Sequence, residues 1–472
     1  MDKKISSHHS SVPMEFIDKL RTHASDRFPG SLLDWVGGII GALAGYLFLV
    51  LTFWPGMADG DTIELIWYAR AGFFSTYQSP MLGVIWQALD SLGGSSMIFY
   101  TQALLVVATA AAILGQWFKG RVLFILVPLL IMSPSVGPYA GTLVKDVWFA
   151  CSFLLGLVAY WRFRNKGGFI WLALFGLGMV FALQFRPNGI FGILPIAIDC
   201  LITGWRRREW IRPILVPGLV TLVAAIIALK ATTPFLRLFY RIDFRPAEQV
   251  IYLSDLAALT LATGDWLIPE EANPDNIDET RLREIYMPHA CTRLVTYKPH
   301  QKDRLLLSQD PEKVAVYRAA WIEAIRKYPG HYLARRWEVF NFFFGFTHVQ
   351  DWYYQKVSGR YGDDPVFERK GWSDRYLGMA DWLEANTRAA SLWPYILMGL
   401  LVGAISLWRR FPGTGLGVLL ALTSLSYSLG FAGITYHTGF RYYWFSAFAG
   451  MLLLVSLLGH FIVLNFKPRD PA

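Results

Sequence analysis

Two carboxylates in this sequence are spaced in a way that could support proton transfer. Asp59 and Asp61 flank a glycine shortly after a long apolar run that ends at Trp54. A carboxylate can act as a general base and take a proton from an attacking hydroxyl. Because hard cations favour oxygen ligands, the same pair could hold a divalent metal ion. The structural alternative is a helix cap, in which Asp61 caps a helix from Thr62 and Glu64 supports it.

Charged residues also lie at the ends of apolar segments further along the chain, at Lys145-Asp146, Arg186 and Arg441. Ionisable residues at membrane depth are costly, so they indicate function or a paired structure. Lys145 and Asp146 could pair with each other or with the loop that carries Asp59. A guanidinium group matches phosphate bidentately, so both arginines with Lys145 could form a cationic site for a lipid phosphate. The alternative for Arg186 is a side chain that extends from the membrane interface to water.

Other polar residues near these positions are candidate substrate contacts. For a lone histidine in this setting, a structural hydrogen bond is the simpler interpretation. The candidate contacts beyond the charged residues named above are Glu64, Tyr77, Gln78, Asn188, His437 and Tyr442.

Long apolar segments must position these side chains. The chain has 472 residues, of which 54% are hydrophobic and only 17% are charged. About 20 apolar residues at 1.5 Å rise cross the hydrocarbon core, so runs of roughly 18 or more predict membrane-spanning helices. We therefore predict an all-α polytopic membrane protein with about ten spans. The predicted spans are residues 31–54, 96–117, 122–137, 144–161, 169–184, 190–204, 211–230, 392–408, 415–434 and 442–463.

Basic residues on alternate connections orient these spans. Lys119 and Arg121, the basic cluster at 162–166, the arginines at 206–208 and those at 409–410 all fall on one side if there are ten spans. Cytoplasmic loops collect Lys and Arg, so this side is the cytoplasm and both termini lie there. The polar candidates then face the side of the membrane opposite the cytoplasm.

This topology predicts a short surface helix and divides the chain into five segments. Residues 81–92 within the first external loop are apolar but too short to span, so we expect a helix on the external leaflet there. The predicted segments are a cytoplasmic N-terminus (1–30), seven spans with a catalytic external loop at 55–94 (31–230), a mainly α periplasmic domain (231–391), three spans (392–464) and a cytoplasmic tail (465–472).

Charge and cysteine content exclude some classes of protein. The net charge is +9, but the basic clusters adjoin membrane segments and no nucleic-acid-binding motif accompanies them, so no nucleic-acid partner is expected. Cys151 and Cys200 lie in apolar helices and Cys291 is alone in the external domain, which predicts inert thiols. The first thirty residues do not match a signal peptide. Nothing in the sequence demands more than a monomer.

Several short motifs together resemble a known family. They are the acidic loop at 59–61, Gln-Ser-Pro at 78–80, Leu-Val-Lys-Asp at 143–146, Phe-Arg-Pro-Asn-Gly at 185–189 and Tyr-Leu-Ser-Asp-Leu-Ala-Ala at 252–258. Over residues 31–443 the chain resembles bacterial membrane glycosyltransferases of the GT-C fold, which use polyprenyl-phosphate sugars. It departs from them in the glycine between the acids and in Ser79, where relatives often have histidine.

The resemblance implies an inverting sugar transfer on the external face of the membrane. An acceptor hydroxyl, deprotonated by Asp61 or else Asp59, attacks the anomeric carbon, and polyprenyl phosphate leaves. Arg186, Arg441 and Lys145 would stabilise the leaving phosphate. The resemblance adds Asp255 to the candidate contacts. It implies a polyprenyl-phosphate-linked sugar as donor, a glycan, lipid or protein as acceptor, and a lipid groove near the sixth to eighth spans.

Three other functions remain as alternatives. A surface-polysaccharide polymerase or ligase also joins lipid-linked sugars outside the membrane and differs in donor size. A transporter would place ionisable residues near the bilayer midplane, whereas here they crowd one face. An assembly or anchoring protein would tolerate substitution of Asp59 and Asp61.

Overall fold

The computed structural model describes residues 32–206, 216–291, 293–297, 301–347, 367–411, 413–436 and 438–465. The helices of the first half are α1 (Leu32–Phe53), α2 (Gly60–Ala71), α3 (Pro80–Gly93), α4 (Ser95–Leu114), α5 (Gly120–Ile131), α6 (Gly137–Ala140), α7 (Lys145–Lys166), α8 (Phe169–Phe185), α9 (Ile190–Arg206) and α10 (Val216–Leu236). Those of the second half are α11 (Glu248–Thr263), α12 (Glu279–Ile285), α13 (Pro311–Lys327), α14 (Pro329–Phe344), α15 (Trp372–Asn386), α16 (Trp393–Arg409), α17 (Thr414–Ile434) and α18 (Trp444–Asn465).

Short strands tie distant segments together. Each sheet in the described residues is a parallel pair. The pairs are β1 (Met57–Ala58) with β3 (Thr142–Leu143), β2 (Phe73–Ser75) with β4 (Arg241–Asp243) and β5 (Val295–Thr296) with β6 (Leu305–Leu306). The first two pairs hold the predicted external loop against the start of α7 and against the chain that follows α10.

Apolar helices form the bulk of the molecule. Six of those described, α1, α4, α7, α10, α17 and α18, are long and apolar enough to cross a membrane. Four shorter apolar helices, α5, α8, α9 and α16, overlap the remaining predicted spans. The prediction of a mainly α-helical membrane protein is confirmed for the described residues.

Some predicted boundaries differ from the helices. The third predicted span reaches residue 137, but α5 ends at Ile131 and the separate α6 follows. Pro134 explains this end, because a proline disfavours α-helical backbone in the residue before it. The seventh predicted span, 211–230, begins outside the described residues, and α10 continues to Leu236. The predicted N-terminal segment lies outside the described residues, as does all of the predicted tail except Asn465.

The predicted external domain packs in two parts. Helices α11 to α13, with β5 and β6, share an apolar cluster that includes Leu253, Leu282 and Tyr317. By contrast, Phe343 of α14 and Tyr376 of α15 belong to the large core that runs through the apolar helices. Helices α14 and α15 are therefore packed on the membrane bundle itself.

Candidate active site

The predicted first external loop is held against the start of α7. Because β1 pairs with β3, Asp59, which follows β1, is brought close to Lys145, which opens α7. The hydroxyl of Thr62 shares its one proton between a backbone carbonyl oxygen of β3 and the Asp59 carboxylate. The amide of Gln102 in α4 donates to a second β3 carbonyl at 2.7 Å. Contacts between segments far apart in sequence thus fix the position of the acidic loop.

Asp59, rather than Asp61, caps α2. Its Oδ1 accepts hydrogen bonds from the backbone N of Thr62 at 2.8 Å and from the Thr62 hydroxyl at 2.7 Å. The interpretation of Asp61 as the cap is wrong because the helix begins at Gly60, which places Asp61 in its first turn. Burial raises the pKa of the Asp59 carboxyl, and the guanidinium of Arg441 opposes that shift.

One arginine joins the two carboxylates. Arg441, in the 3₁₀ turn Phe440–Tyr443 before α18, contacts Oδ2 of Asp59 through Nη1 at 2.5 Å and Oδ2 of Asp61 through Nη2 at 2.7 Å. The Asp59 side chain is only 8% exposed, whereas that of Asp61 is 37% exposed. Asp61 is therefore the carboxylate of the pair that an incoming ligand can reach.

The charges at the start of α7 have separate partners. Lys145 donates to Oε1 of Gln78 in the first loop at 3.1 Å, one of the two pairings predicted for it. Asp146 instead forms a buried ion pair with Nε of Arg186. The interpretation of Arg186 as an arginine extending to water is wrong, since the residue is 5% exposed. Its guanidinium lies 4.7 Å from the centre of the Tyr442 ring.

A cavity of about 560 Å³ brings most of the candidates together. The predicted residues that line it are Asp61, Tyr77, Gln78, Lys145, Arg186, Asn188, Arg441 and Tyr442. Many of these are in mutual contact, since both arginines lie over the Tyr442 ring and Lys145 binds Gln78. The apolar lining residues include Phe191 of α9, Leu229 of α10 and Ile434 of α17. The cavity therefore combines a cationic, hydrogen-bonding region with walls from membrane helices.

Two buried N–H donors of cavity-lining residues lack a hydrogen-bond partner among the described residues. They are Nη2 of Arg186 and Nε2 of Gln78. Nε1 of Trp86 also lacks a hydrogen-bond partner among the described residues. Trp86 lines a recess of about 10 Å³ next to the two aspartates. Buried polar groups are nearly always hydrogen-bonded in native proteins. Unfilled donors beside Lys145 are suited to the oxygens of an anion.

The same donors argue against a divalent metal ion bound by Asp59 and Asp61. Both carboxylates already bind Arg441, and the neighbouring unfilled groups are donors, which cannot ligate a cation. Within the described residues, no three or more His, Cys, Asp or Glu side chains form a group that could hold a metal ion. The surroundings fit an anion better than a divalent ion.

Some predicted contacts lie outside the cavity. Glu64 accepts from the Tyr68 hydroxyl and lies 3.7 Å from Arg245, so it supports the junction between α2 and the chain before α11. Asp255 is buried in an ion pair with Arg336 and does not line the cavity. Asp146 pairs with Arg186 but does not itself line the cavity. His437 lies outside the described residues.

The cavity also contains residues that the sequence analysis did not select. Tyr436 comes directly before the predicted His437, and the position of that histidine could have pointed to it. Ser79 lines the cavity too, caps α3, and donates to the carbonyl oxygen of Gln184 at 2.8 Å. Glu248 opens α11. The apolar lining residues carry no signal of their own, because every span is apolar.

No protein-family model matches the chain, and no curated protein or solved structure is significantly similar to it. Its function must therefore be argued from the site itself.

Proposed function

We propose that this protein is an inverting glycosyltransferase that moves a single sugar from a polyprenyl-phosphate donor to an acceptor outside the membrane. One observation carries the proposal. A single cavity joins a reachable carboxylate, three cationic side chains and unfilled buried donors to walls from apolar helices. That combination suits a ligand with a phosphate head and an apolar tail.

The residues suggest a role for each charged group. The Asp61 carboxylate takes the proton of the acceptor hydroxyl as the oxygen attacks the anomeric carbon. The bond between that carbon and the phosphate oxygen breaks, so the phosphate leaves with its negative charge. Arg186 and Lys145 stabilise that charge, because preorganised donors act where charge develops. A single displacement of this kind inverts the anomeric centre.

Arg441 has a positioning role in this scheme. It holds Asp61 at 2.7 Å and Asp59 at 2.5 Å, so both carboxylates keep one orientation. Asp59 has its oxygens engaged by Thr62 and Arg441. We therefore favour Asp61 over Asp59 as the base.

The arrangement in the membrane follows the sequence-based topology. We propose a GT-C-like fold with ten spans in a bacterial inner membrane, both termini in the cytoplasm, and the cavity open to the periplasm. The resemblance implies a lipid groove near the sixth to eighth spans. Apolar cavity residues come from α9, α10 and α17, which overlap the sixth, seventh and ninth predicted spans.

The cavity volume fits a single-sugar donor. Small-molecule sites usually enclose about 300–1,000 Å³. A cavity of about 560 Å³ falls in the middle of that range. A lipid-linked repeat unit of several sugars would need more space in addition to its acceptor.

Envelope mass spectrometry tests the proposed function. Glycans and lipid-linked sugars would be compared in a deletion strain, in that strain with the wild-type gene, and in that strain with Asp61→Asn. We expect one sugar residue to disappear and its polyprenyl-phosphate form to accumulate in the deletion and the variant. Collapse to single repeat units would support the polymerase instead. An unchanged glycan profile would leave the transporter or assembly alternatives.

A further inference from the structure

We propose that α14 and α15 lie in the external interface of the lipid bilayer and hold the external domain against it. The geometry that points to this is a pair of apolar stripes on helices fixed to the ends of membrane spans. The inference stands independently of the proposed enzyme activity.

Helix α14 has three faces. Its buried face includes Arg335, Val339 and Phe343. Its apolar stripe contains Leu333, Trp337, Phe340 and Phe344, which fall within roughly 60° of arc at 3.6 residues per turn. Its remaining face carries exposed polar residues, including His331 and Glu338. The stripe is therefore distinct from the face that packs on the protein.

The stripe of α14 is exposed where it begins and joins the core where it ends. Among the described residues, Leu333 is 66% exposed and Trp337 is 63% exposed. Trp337 stacks on Phe340 at 5.3 Å, and Phe340 stacks on Phe344 at 4.5 Å. Phe344 belongs to the core of the apolar helices. The apolar surface is thus continuous from the bundle to the exposed rings.

Contacts place α14 at the external ends of spans. Phe343 packs against Phe431 of α17 with ring centres 5.3 Å apart. Arg336 donates to the carbonyl oxygen of Thr435, directly after α17, at 2.9 Å. A helix held there lies at the depth where the hydrocarbon gives way to headgroups.

Helix α15 repeats the arrangement at another position. Its Tyr376 hydroxyl bonds the carbonyl oxygen of Met132, after α5, at 3.1 Å, and the Tyr376 ring packs on Phe48 of α1 at 5.2 Å. Trp372 and Trp382 are exposed on one stripe, at 56% and 60%. Asp374, on the far side, is exposed as well.

Composition favours lipid over a protein partner as the occupant. Tryptophan rings prefer the headgroup level because they have an apolar body and a polar N–H. Arg375, which is exposed, shares the α15 stripe with Met379 and complements anionic lipid headgroups. Interfacial helices typically bury an apolar face about 5–10 Å into this boundary.

Spin labelling of the full chain in nanodiscs of phosphatidylcholine and phosphatidylglycerol tests the inference. Single variants Leu333→Cys and Met379→Cys place nitroxides on the stripes, and Glu338→Cys and Asp374→Cys are matched controls on the same helices. The native cysteines are buried, so the unsubstituted chain serves as the blank. The thermal midpoint of each labelled protein checks its fold.

We expect the stripe labels to collide several-fold more with dissolved oxygen than with a water-soluble nickel complex, relative to the controls. Equal collision with the nickel complex at stripe and control positions would overturn the inference. So would protection of the stripe labels from both reagents, which would indicate that a protein covers the stripes.

Discussion

The buried pair of Arg186 and Asp146 allows the ligand-binding role of an arginine to be separated from its structural role. Both side chains are almost fully buried, at 6% and 4% exposure. Removing one partner of such a pair costs about 3–5 kcal/mol, because the other charge stays buried without compensation. Arg186→Met should therefore lower the free energy of unfolding by about that amount.

Removing both charges should largely restore stability, since replacing a buried pair with uncharged groups is often near neutral. The double variant Arg186→Met with Asp146→Asn should nevertheless remain defective in donor binding. It lacks Nη2, the buried donor of a cavity-lining residue that has no hydrogen-bond partner among the described residues. A hydrogen bond to a charged group contributes about 1.5–3 kcal/mol, or roughly 10- to 150-fold in affinity.

The assay has two readouts on detergent-purified protein. Thermal unfolding follows stability, and titration with polyprenyl phosphate follows affinity. The matched control is the pair Arg164 and Asp199, which is 2.9 Å apart and lies at the opposite end of α7. Because both side chains are 25% exposed, Arg164→Met should cost less than Arg186→Met and should leave affinity unchanged. If the Arg186 and Asp146 double variant recovered affinity along with stability, Arg186 would be structural only.

Four further outcomes test other parts of the account. Asp61→Asn should abolish transfer without unfolding the protein, and a normal transfer rate in this variant would remove Asp61 as the base. Asp59→Ser should keep the cap of α2, because serine is also a good N-cap residue. Asp255→Asn should destabilise the protein by about 3 kcal/mol, because it leaves the largely buried charge of Arg336 without its partner; donor affinity should be unchanged in the same titration. Chelation with EDTA should leave transfer unaffected, and a loss that added Mg²⁺ restores would revive the metal hypothesis. Burial raises the pKa of the Cys291 thiol to about 12. Maleimide should therefore label this thiol at neutral pH only after the protein is denatured, and peptide mass spectrometry would detect the label.

The sequence predicted which residues gather but, apart from the contact of Lys145 with the first loop, not how they pair. The predicted topology places Asp61, Lys145, Arg186 and Arg441 on one face, because each stands near the same end of an apolar run, and all four line the cavity. End positions follow from helix length and hydropathy, which are local properties. The predicted topology therefore carries most of this information.

Pairing depends on contacts between distant segments, which local pattern does not specify. The cap at Asp59 depends on where α2 begins, and the partner of Asp146 depends on how α7 packs on α8. Asp255 was selected by motif, yet the α14 residue Arg336 binds it away from the cavity. The apolar walls were equally hidden, since Leu229 resembles any other leucine of a span until its neighbours are known.

Reconstitution of the purified protein tests the central claim most directly. Wild-type protein and the Asp61→Asn variant would be placed in proteoliposomes with the lipid fraction that accumulates in the deletion strain and with envelope acceptor from that strain. Mass spectrometry would follow release of polyprenyl phosphate and gain of one sugar on the acceptor. We predict both products in equal amounts with the wild-type protein and neither with the variant. Sugar transfer by the variant at the wild-type rate, or no polyprenyl phosphate released by the wild-type protein, would contradict the account.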